Sequence, residues 1–582
     1  MLSPMETNIE NKRHTLAHLL ASAVLELYPN TKNTIGPAID NGFYYDFEFP
    51  SPITDSDLEK IEKKMKDNLS SWEKFSHEEK TKEEAEKYFS QNPYKLELIN
   101  EIVDKGEKIT FYTCGNFTDL CRGGHTENPA KEITTDSFKL SRIAGAYWRG
   151  DEKNKMLTRI YGLAFNTKEE LEAYEVQQEE ARKRDHKILG PALKLFTLSP
   201  LIGSGLPLMQ PKGMVIRKEI EDFLWQLHKG KGYSRVWTPH IAKEALYETS
   251  GHAAKFGDEL FRVQGKEEKF IMKPMNCPHH MQIFADNQFS YKDMPVRYFE
   301  PATIYRDEKS GQLGGLTRVR AITQDDGHLF CAVSQIEEEA GVIVDIIKKF
   351  YETFGMIDEY FVRLSLRGED KSAYLGSDEV WNKAEATLKN ICETKKLPYK
   401  EAKNEAAFYG PKLDFMFKDA IGREWQLATI QCDFNLPERF NLSFVNNKGE
   451  KERPVVIHRA ISGSLERFMG VLIEHFAGAF PLWLSPVQVK IVPIGENEIE
   501  YAKSFTSLLA ENDIRYEIDE SNESLGKKIR NAKMEKVPYV AVIGKKEVES
   551  KRVTLEGRTE KFDLSLDETI SKLAKEIKEK SL

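Results

Sequence analysis

The chain has 582 residues, of which 40% are hydrophobic and 30% are charged, and its formal net charge is −9 at pH 7. This length predicts roughly three to five domains, and the composition excludes a disordered or fibrous chain. A chain that is acidic overall needs a local basic surface if it is to bind nucleic acid.

The cysteines and the apolar segments indicate the compartment. The six cysteines are scattered, which suits a reducing cytoplasm better than a disulfide framework; they are Cys114, Cys121, Cys277, Cys331, Cys392 and Cys432. The first residues, MLSPMETNIENKRH, contain no apolar signal core. The most apolar stretch, FMGVLIEHFAGAFPLWL, carries Glu474 and His475. We therefore expect a cytoplasmic protein with no membrane contact.

Hydrophobic periodicity divides the chain into four segments. Residues 1–167 are predicted to form an α/β domain that opens on a helix, and the charged residues 168–190 a connecting helix. Residues 191–484 mix helices with long alternating strands. Residues 485–582 alternate strand and helix, which predicts a small α/β domain with a largely parallel sheet.

Two short motifs in the first domain carry candidate chemistry. In RHTLAHLLASAVLELYPN, His14 and His18 are four positions apart, so they share one helix face, and the leucines are predicted to take the opposite face. In DLCRGGHTENP, Asp119, Cys121 and His125 stand around two glycines, which let the backbone approach a ligand closely. Two exposed surface histidines and a four-ligand structural zinc site are both compatible with these residues.

Three residues of the central segment are candidate zinc ligands. They are Cys277 in KPMNCPHH, His328 in QDDGHLFC and His458 in VIHRAISGS. Structural zinc sites use close pairs and four ligands, whereas three dispersed ligands leave one coordination position open. The pattern therefore favours a zinc ion that takes part in function over a structural one, and the alternative is that each residue is an ordinary core or surface side chain.

Two further segments of this block suggest an anion site. In TRVRAITQDDGHLFC, alternation predicts one polar strand face that carries Arg318, Arg320, Gln324, Asp326 and His328. Arg306 ends the preceding strand-like run, and Arg467 lies in the first turns of a helix that begins after Gly463 and Ser464. Arginine suits phosphate because its planar group donates two parallel hydrogen bonds. A solvated strand face and an ordinary amphipathic helix are the alternatives.

Together these segments resemble a known family. IYRDEKSG and GSLER resemble motifs two and three of class II aminoacyl-tRNA synthetases, and GYSRVWTPHIAKEALYETSGH, around Pro239, is similar to motif one, which in the family contributes to a dimer interface. KPMNCP, QDDGHLF, FYGPKLDF and VIHRAISGS narrow the resemblance to threonyl-tRNA synthetases. The resemblance implies an antiparallel-sheet catalytic core, an N-terminal α/β editing domain, a C-terminal α/β anticodon-binding domain and a homodimer.

The resemblance also implies site residues in the core. Arg306 and Arg467 would hold the phosphates of Mg²⁺-bound ATP, and Arg318, Gln324 and Lys412 complete the catalytic set. The residues implied around threonine and ATP are Asp326, Tyr409, Gln426, Gln431, Ser464 and Met275. Gln426 and Gln431 have opposite parity, so both face the site only if the strand has a bulge.

The implied zinc, one ion per subunit, explains why a second, hydrolytic site would be needed. A metal that binds both the amino group and the hydroxyl of threonine excludes valine, whereas a hydrophobic pocket separates such pairs by roughly a hundredfold. Serine passes this filter and needs later correction. The resemblance assigns that hydrolysis of seryl-tRNA to His14, His18, Lys95, Asp119, Cys121 and His125.

The C-terminal segment is implied to read the anticodon of tRNA(Thr). Residues 525–552 are locally basic, although a solvated helix face explains most charge runs. Asn522, Arg530 and Glu547 match positions expected near the bases, and Glu556 stands where relatives often have arginine. Many bacterial relatives also carry a further small N-terminal domain, which this chain is expected to lack.

The leading hypothesis is therefore a threonine–tRNA ligase with ATP, Mg²⁺, zinc and a proofreading site. The alternatives are a ligase for another amino acid, an RNA-binding or regulatory paralogue, and a free-standing hydrolase of mischarged tRNA. The presence of Arg306, Arg467 and all three candidate zinc ligands argues against the first two. A free-standing hydrolase would not need the central block.

Overall fold

The structure is a computed structural model that describes residues 4–582, with side chains from residue 9 onward. It separates into two compact units, one up to Glu179 and one from Glu180 to Leu582. Among the helices of the described residues, none has the length and apolar character of a membrane span.

The first unit is an α/β structure. Its helices are α1 (Pro4–Leu27), α2 (Leu58–Leu69), α3 (Lys82–Tyr88), α4 (Pro93–Asp104) and α5 (Pro129–Glu132). Its strands are β1 (Lys32–Asn33), β2 (Ala38–Ile39), β3 (Gly42–Glu48), β4 (Ser76–Lys80), β5 (Ile109–Cys114), β6 (Phe117–Leu120), β7 (Phe138–Tyr147) and β8 (Met156–Ala164).

Helix α1 packs on a sheet of order β1-β3-β8-β7, and a second sheet of order β4-β5-β6 lies beside it. The core between helix and sheet contains Leu16, Leu20 and Phe43. His14 and His18 share one face of α1 and line the same pocket, in agreement with the predicted division of the helix, and His18 is buried there. The leucines of α1 pack into the core on the other side of the helix.

The connecting segment forms two helices where one was predicted. Helix α6 (Lys168–Arg184) ends before Asp185, and α7 (His186–Ala192) begins directly after it. The side chain of Asp185 accepts a hydrogen bond from the backbone N–H of Lys187, which is the geometry of a helix N-cap. A new helix therefore starts here.

The second unit holds the remaining elements. Its helices are α8 (Pro211–Lys229), α9 (Glu244–Ser250), α10 (His252–Phe256), α11 (Cys277–Ala285), α12 (Ile336–Thr353), α13 (Asp378–Thr394), α14 (Asn435–Arg439), α15 (Leu465–His475), α16 (Ile499–Glu511), α17 (Leu525–Met534), α18 (Lys545–Ser550) and α19 (Leu566–Glu579).

Its strands are β9 (Phe196–Thr197), β10 (Leu208–Met209), β11 (Ser234–Arg235), β12 (Ile241–Lys243), β13 (Arg262–Gln264), β14 (Lys269–Met272), β15 (Phe289–Ser290), β16 (Val296–Tyr305), β17 (Ala321–Cys331), β18 (Tyr360–Leu366), β19 (Tyr399–Lys403), β20 (Lys412–Lys418), β21 (Glu424–Asp433), β22 (Phe444–Val445), β23 (Lys451–Glu452), β24 (Val455–Ser464), β25 (Val489–Pro493), β26 (Tyr516–Ile518), β27 (Tyr539–Ile543), β28 (Arg552–Glu556) and β29 (Lys561–Ser565).

The centre of the second unit is an eight-stranded sheet of order β11-β16-β17-β24-β21-β20-β18-β19. Every neighbouring pair is antiparallel except β11–β16 and β18–β19, which confirms the predicted antiparallel core. Helices α12 and α15 pack against its central strands. Helix α12 does so because Ile336, Ala340, Ile343 and Ile347 recur at helical spacing and are all buried.

The C-terminal sheet has the order β26-β25-β27-β28-β29. Strands β26, β25 and β27 are parallel, whereas β28 and β29 add in antiparallel fashion. The predicted largely parallel sheet is therefore mixed. The short connection between β28 and β29 permits only a hairpin, because a parallel pair needs a long crossover.

One glycine on β17 leaves room for a buried arginine side chain of β24. Arg459 of β24 is fully buried, and its Nη1 donates to the carbonyl of Asp325 on β17 at 2.7 Å. A Cβ atom on Gly327 would lie 2.4 Å from Cζ of Arg459. Only glycine at position 327 therefore allows the guanidinium to cross β17.

We expect Gly327→Ala to lower the free energy of unfolding by about 1–3 kcal/mol, because the added methyl overpacks the core. Urea unfolding followed by circular dichroism measures this change. Gly230→Ala is the matched control, since nothing lies within 4 Å of a Cβ at that position. Equal stabilities of the two variants would contradict the steric account.

Candidate active sites

The three candidate metal ligands meet on the central sheet. Cys277 begins α11, and His328 of β17 stands directly opposite His458 of β24 in the strand register. His328 Nε2 lies 2.9 Å from His458 Nδ1, and all three side chains are buried. Their donor atoms lie within 4.8 Å of one another. Antiparallel pairing thus brings together residues that are far apart in the sequence.

Neighbouring side chains orient the two imidazoles. His458 Nε2 lies 2.9 Å from an oxygen of Asp433, and His328 Nδ1 lies 2.8 Å from His280 Nδ1. His280 Nε2 is in turn 3.0 Å from Glu300. A carboxylate that accepts a hydrogen bond from one ring N–H leaves the other nitrogen free to bind a metal. The sequence reasoning missed these residues, although His280 stands within the NCPHH motif.

The electrostatics of the cluster fit a cation. Burial raises the pKa of the Cys277 thiol well above its usual value, and the charges of Asp326 and Asp433 raise it further. Burial lowers the pKa of His328 well below its usual value, so the ring is neutral. A neutral imidazole and a thiol that ionises only beside positive charge are the donor types that zinc takes.

A cavity of about 490 Å³ lies on the same sheet face, beside the zinc candidates. Its lining includes Arg306, Arg318, Ile322, Ser464 and Arg467. Ile322 is the one apolar member of the row that runs along β17 toward His328. The cavity therefore collects three cationic side chains from the loop between β16 and β17 and from α15.

Two of these arginines have unused hydrogen-bonding capacity. The Nε atoms of Arg306 and Arg467 are buried and have no hydrogen-bond partner among the described residues. Burial lowers the pKa of both guanidinium groups, because the protein alone solvates their charge poorly. Buried donors of this kind are normally paired, so an anion in the cavity would satisfy them.

Not all members of the predicted polar row lie on the strand. Strand β17 begins at Ala321, so Arg318 and Arg320 belong to the preceding loop. Arg320 donates to the carbonyl oxygens of Glu308 and Ser204 and does not line the cavity. Its assignment to the anion face was wrong, because the loop backbone captures its guanidinium. Arg318 does line the cavity and pairs with Glu308 at 2.7 Å.

Ser464 and Gln324 lie where motif residues of two strands meet. They are partners in the β17–β24 register. Ser464 also caps α15, because its Oγ accepts from the backbone N–H of Arg467 at 3.2 Å. Its hydroxyl donates to Glu466, which accepts from the backbone of Thr323 as well. The cap directs the first turn of α15, and with it Arg467, toward the cavity.

The parity conflict between Gln426 and Gln431 is resolved by a bulge. The register of β20 with β21 shifts between Phe415 and Met416, and Leu427 is the extra residue. Gln426 and Thr429 therefore both donate to Asp414, on the same side as Gln431.

The remaining residues expected around the substrates also lie here. Lys412 pairs with Asp414 at 2.6 Å, and Gln431 donates to the carbonyl of Gly410. Tyr409 lies with its ring 5.4 Å from that of His458, and Met275 accepts from Arg306 at 3.1 Å. Asp326 is buried with an oxygen 3.9 Å from His328 Nδ1.

The first unit has its own pocket, a cavity of about 460 Å³. His14 Nε2 lies 3.2 Å from His18 Nε2 and 3.6 Å from Cys121 Sγ, and His125 Nε2 lies 3.5 Å from the same sulfur. The donor atoms of all four residues lie within 4.8 Å of one another. Both halves of the predicted motif pair thus meet in one place.

A buried ion pair forms part of the wall of this pocket. Lys95 Nζ lies 2.5 Å from Oδ1 of Asp119, and Tyr45 Oη donates to Oδ2 of the same carboxylate at 2.5 Å. Tyr45 was not predicted, because its position in the run NGFYYDFEF gives only a strand signal. Burial lowers the pKa of His14 and also lowers that of His18, so both imidazoles are neutral and can accept a proton.

The C-terminal domain presents a basic surface on α17. Asn522 and Arg530 are exposed, and a shallow cavity of about 590 Å³ is lined by Arg530, Lys533 and Lys536. Glu547 instead caps α18 by accepting from the backbone of Gly544, and it also accepts from Thr554. Its carboxylate is therefore already engaged within the domain.

Position 556, where the resemblance places arginine, contributes no cation to this surface. Glu556 pairs with Lys533 at 3.1 Å. Nearby Arg558 donates to the carbonyl oxygens of Ala479 and Lys536.

The chain matches three described families. Residues 109–161 match the threonyl and alanyl tRNA synthetase second additional domain. Residues 261–476 match the tRNA synthetase class II core domain (G, H, P, S and T), and residues 488–576 match an anticodon binding domain.

Two relatives that align over most of the chain are threonine–tRNA ligases. The chain is 48% identical over 573 residues to the threonine–tRNA ligase of Gloeobacter violaceus, and the alignment covers 96% of this chain and 91% of the relative. It is 46% identical over 552 residues to the threonine–tRNA ligase of Thermotoga maritima, covering 94% and 85%.

Solved structures agree. The RNA binding domain of threonyl-tRNA synthetase from Cryptosporidium parvum superposes with a TM-score of 0.65 at 36% identity, covering 67% of this chain and 98% of that one. A putative threonyl-tRNA synthetase from Aeropyrum pernix gives a TM-score of 0.59 at 29% identity, covering 69% and 97%.

Proposed function

Because the chain belongs to the threonine–tRNA ligase family, we propose that it activates threonine with ATP, transfers it to tRNA(Thr) and hydrolyses seryl-tRNA in its first unit. The observation that carries the proposal is the Cys277, His328 and His458 cluster beside an arginine-lined cavity. An amino-acid site next to a triphosphate site is what adenylate formation requires.

The arginine cavity is proposed to bind ATP with its Mg²⁺. Arg306, Arg318 and Arg467 would neutralise phosphate charge as the threonine carboxylate attacks the α-phosphorus and pyrophosphate leaves. Fixed donors in a water-poor cavity stabilise charge that develops in the transition state more strongly than water does. Gln324 and Lys412 would complete the polar surroundings of the two substrates, and Ser464 holds Arg467 in place through its helix cap.

The donor set of Cys277, His328 and His458 fits zinc, since one sulfur and two imidazoles leave a coordination position open. Bound zinc would act as a Lewis acid for the amino and hydroxyl groups of threonine, and valine lacks the hydroxyl. Asp326 is placed to accept a hydrogen bond from the substrate. Tyr409, Gln426, Gln431 and Met275 would enclose it.

Removal of zinc should reduce threonine-dependent ATP–pyrophosphate exchange by about two orders of magnitude, because the substrate loses its Lewis acid. Untreated protein should use threonine strongly, serine weakly and valine negligibly. Cys277→Ser should lose metal, measured by atomic emission, together with exchange. The matched control is Cys392→Ser, the same chemical change at a buried cysteine outside both candidate metal groups, which should keep both. No exchange with any of the three amino acids from folded, zinc-loaded protein would refute the assignment.

The pocket of the first unit is proposed to hydrolyse seryl-tRNA. A neutral His14 can accept a proton from a water molecule that attacks the ester carbonyl. Lys95, held by Asp119, offers a positive charge near the developing oxyanion. Cys121, His18 and His125 shape the remaining wall. The two glycines of the CRGGH segment have φ values of +94° and +88°, which bring the backbone close to the pocket.

His14→Ala should slow the hydrolysis of seryl-tRNA by about a hundredfold or more, since general-base catalysis contributes at least that much. Threonine-dependent exchange should stay at the level of the unmutated protein. His77→Ala is the control, because His77 is an exposed histidine of the same unit. Unchanged hydrolysis in the His14 variant would remove this residue from the mechanism.

The basic surface of α17 is proposed to bind the anticodon, with Asn522 and Arg530 nearest the bases. The engaged carboxylate of Glu547 supports a role in shaping this surface. All six cysteines are unpaired, which supports the proposed cytoplasmic location.

A homodimer is also proposed, because large apolar side chains are exposed around motif one. Within motif one, Trp237 is 73% exposed and Ile241 is also exposed, and Leu201 and Ile202 are exposed in the loop that precedes α8. Such side chains favour a protein partner over water.

Trp237→Ser should raise the dimer dissociation constant by about tenfold or more, since buried tryptophans contribute strongly to interfaces. Sedimentation velocity across a dilution series measures it. Met534→Ser removes a 66% exposed side chain from the basic surface instead and should leave the constant unchanged. Identical sedimentation of all three proteins would contradict the interface.

A further inference from the structure

His186 is a buried histidine that none of the proposed sites uses. It is only 3% exposed, and it opens α7 directly after the capping residue Asp185. A buried imidazole must satisfy two ring nitrogens, so its partners show what it holds together.

The ring joins a helix of the core to a loop. His186 Nδ1 lies 2.5 Å from Oε1 of Glu474 on α15, and the backbone N–H of Leu316 donates to His186 Nε2 at 3.0 Å. Because Leu316 can only donate there, Nε2 carries no proton and Nδ1 donates to Glu474. The same carboxylate oxygen accepts from the backbone N–H of His186 at 3.1 Å.

The loop is shaped to fit onto this ring. Gly315 has a φ of +60°, and a Cβ there would lie 2.3 Å from His186 Nε2. A Cβ on Gly470 of α15 would lie 3.3 Å from Leu316 Cβ, already a tight contact. Two glycines thus let the loop approach both the histidine and the helix.

The loop and the helix that His186 joins each carry an arginine of the proposed ATP site. Arg318 follows Leu316 by two positions, and Thr317 between them also lines the arginine cavity. Arg467 lies in the first turns of α15, the helix whose last turn carries Glu474. We propose that His186 is a positioning residue that fixes the loop of residues 314–318 against α15 and so places Arg318 for ATP.

This inference rests on the proposed ATP site, and it is tested by separating the two hydrogen bonds of the ring. His186→Asn keeps a donor near the position of Nδ1 but removes the acceptor for Leu316. His186→Gln reaches the position of Nε2 and keeps that acceptor. We expect the asparagine variant to raise the KM for ATP in threonine-dependent exchange by about tenfold, the effect of one unsatisfied buried N–H. The glutamine variant should stay near the unmutated value, and the KM for threonine should change in neither.

A general loss of packing would give a different result. His228→Asn is the control, because His228 is fully buried in α8 and its ring donates to the Leu224 carbonyl, away from the loop. It should lower the melting temperature without a selective change in the KM for ATP. The proposal is overturned if the two His186 variants behave alike, or if the KM values for ATP and threonine rise together.

Gly315→Ala tests the same contact without altering the buried ring, so the proposal stays testable even if His186→Asn does not fold. The added methyl should push the loop off His186 and raise the KM for ATP. In the His186→Asn background, where the shorter side chain leaves room, the same change should have a smaller effect. Additive effects would contradict the contact. Absence of exchange in the unmutated protein would instead refute the proposed function.

Discussion

The pairing of β17 with β24 is the constraint on which the central site depends. The register sets His328 opposite His458 and Gln324 opposite Ser464, so one strand pair supplies both zinc-candidate histidines and the start of the arginine-bearing helix. A shift by one residue would turn every side chain of a strand to the other face. The contact of Arg459 with Asp325 across Gly327 opposes such a shift, because the guanidinium fits only over a residue without a side chain.

The site is built around groups whose charge the protein satisfies only in part. Burial keeps His328 neutral and the Cys277 thiol protonated, and it leaves donors of Arg306 and Arg467 without partners. Each of these costs free energy unless a ligand supplies the missing partner. A cation at the first cluster and a polyphosphate in the adjoining cavity would remove both costs. This complementarity is the physical basis for proposing threonine activation here.

The two units meet different chemical demands with similar residue types. The first unit surrounds His14 with other neutral histidines and Cys121, and it keeps the positive charge of Lys95 paired with Asp119. Such a pocket suits attack by water on an ester. The core unit concentrates arginines, which suits phosphate. The two reactions, amino-acid activation in one unit and hydrolysis of the wrong product in the other, therefore each use their own cysteine and histidine side chains.

The sequence by itself determined the antiparallel core, the segments that carry chemistry and the family, because short motifs with dispersed Cys, His and Arg are visible without a structure. It also showed that Gln426 and Gln431 can both face the site only if their strand has a bulge. The tertiary structure decided which side chains reach each site. Arg320 donates to loop carbonyls, His18 is buried and Glu547 caps a helix. Tyr45, His280 and His186 join hydrogen-bond networks that the sequence analysis did not predict. The physical reason is that periodicity reports only the face of an element on which a residue lies. Hydrogen-bond partners come from elements distant in sequence, and only the folded chain brings them together.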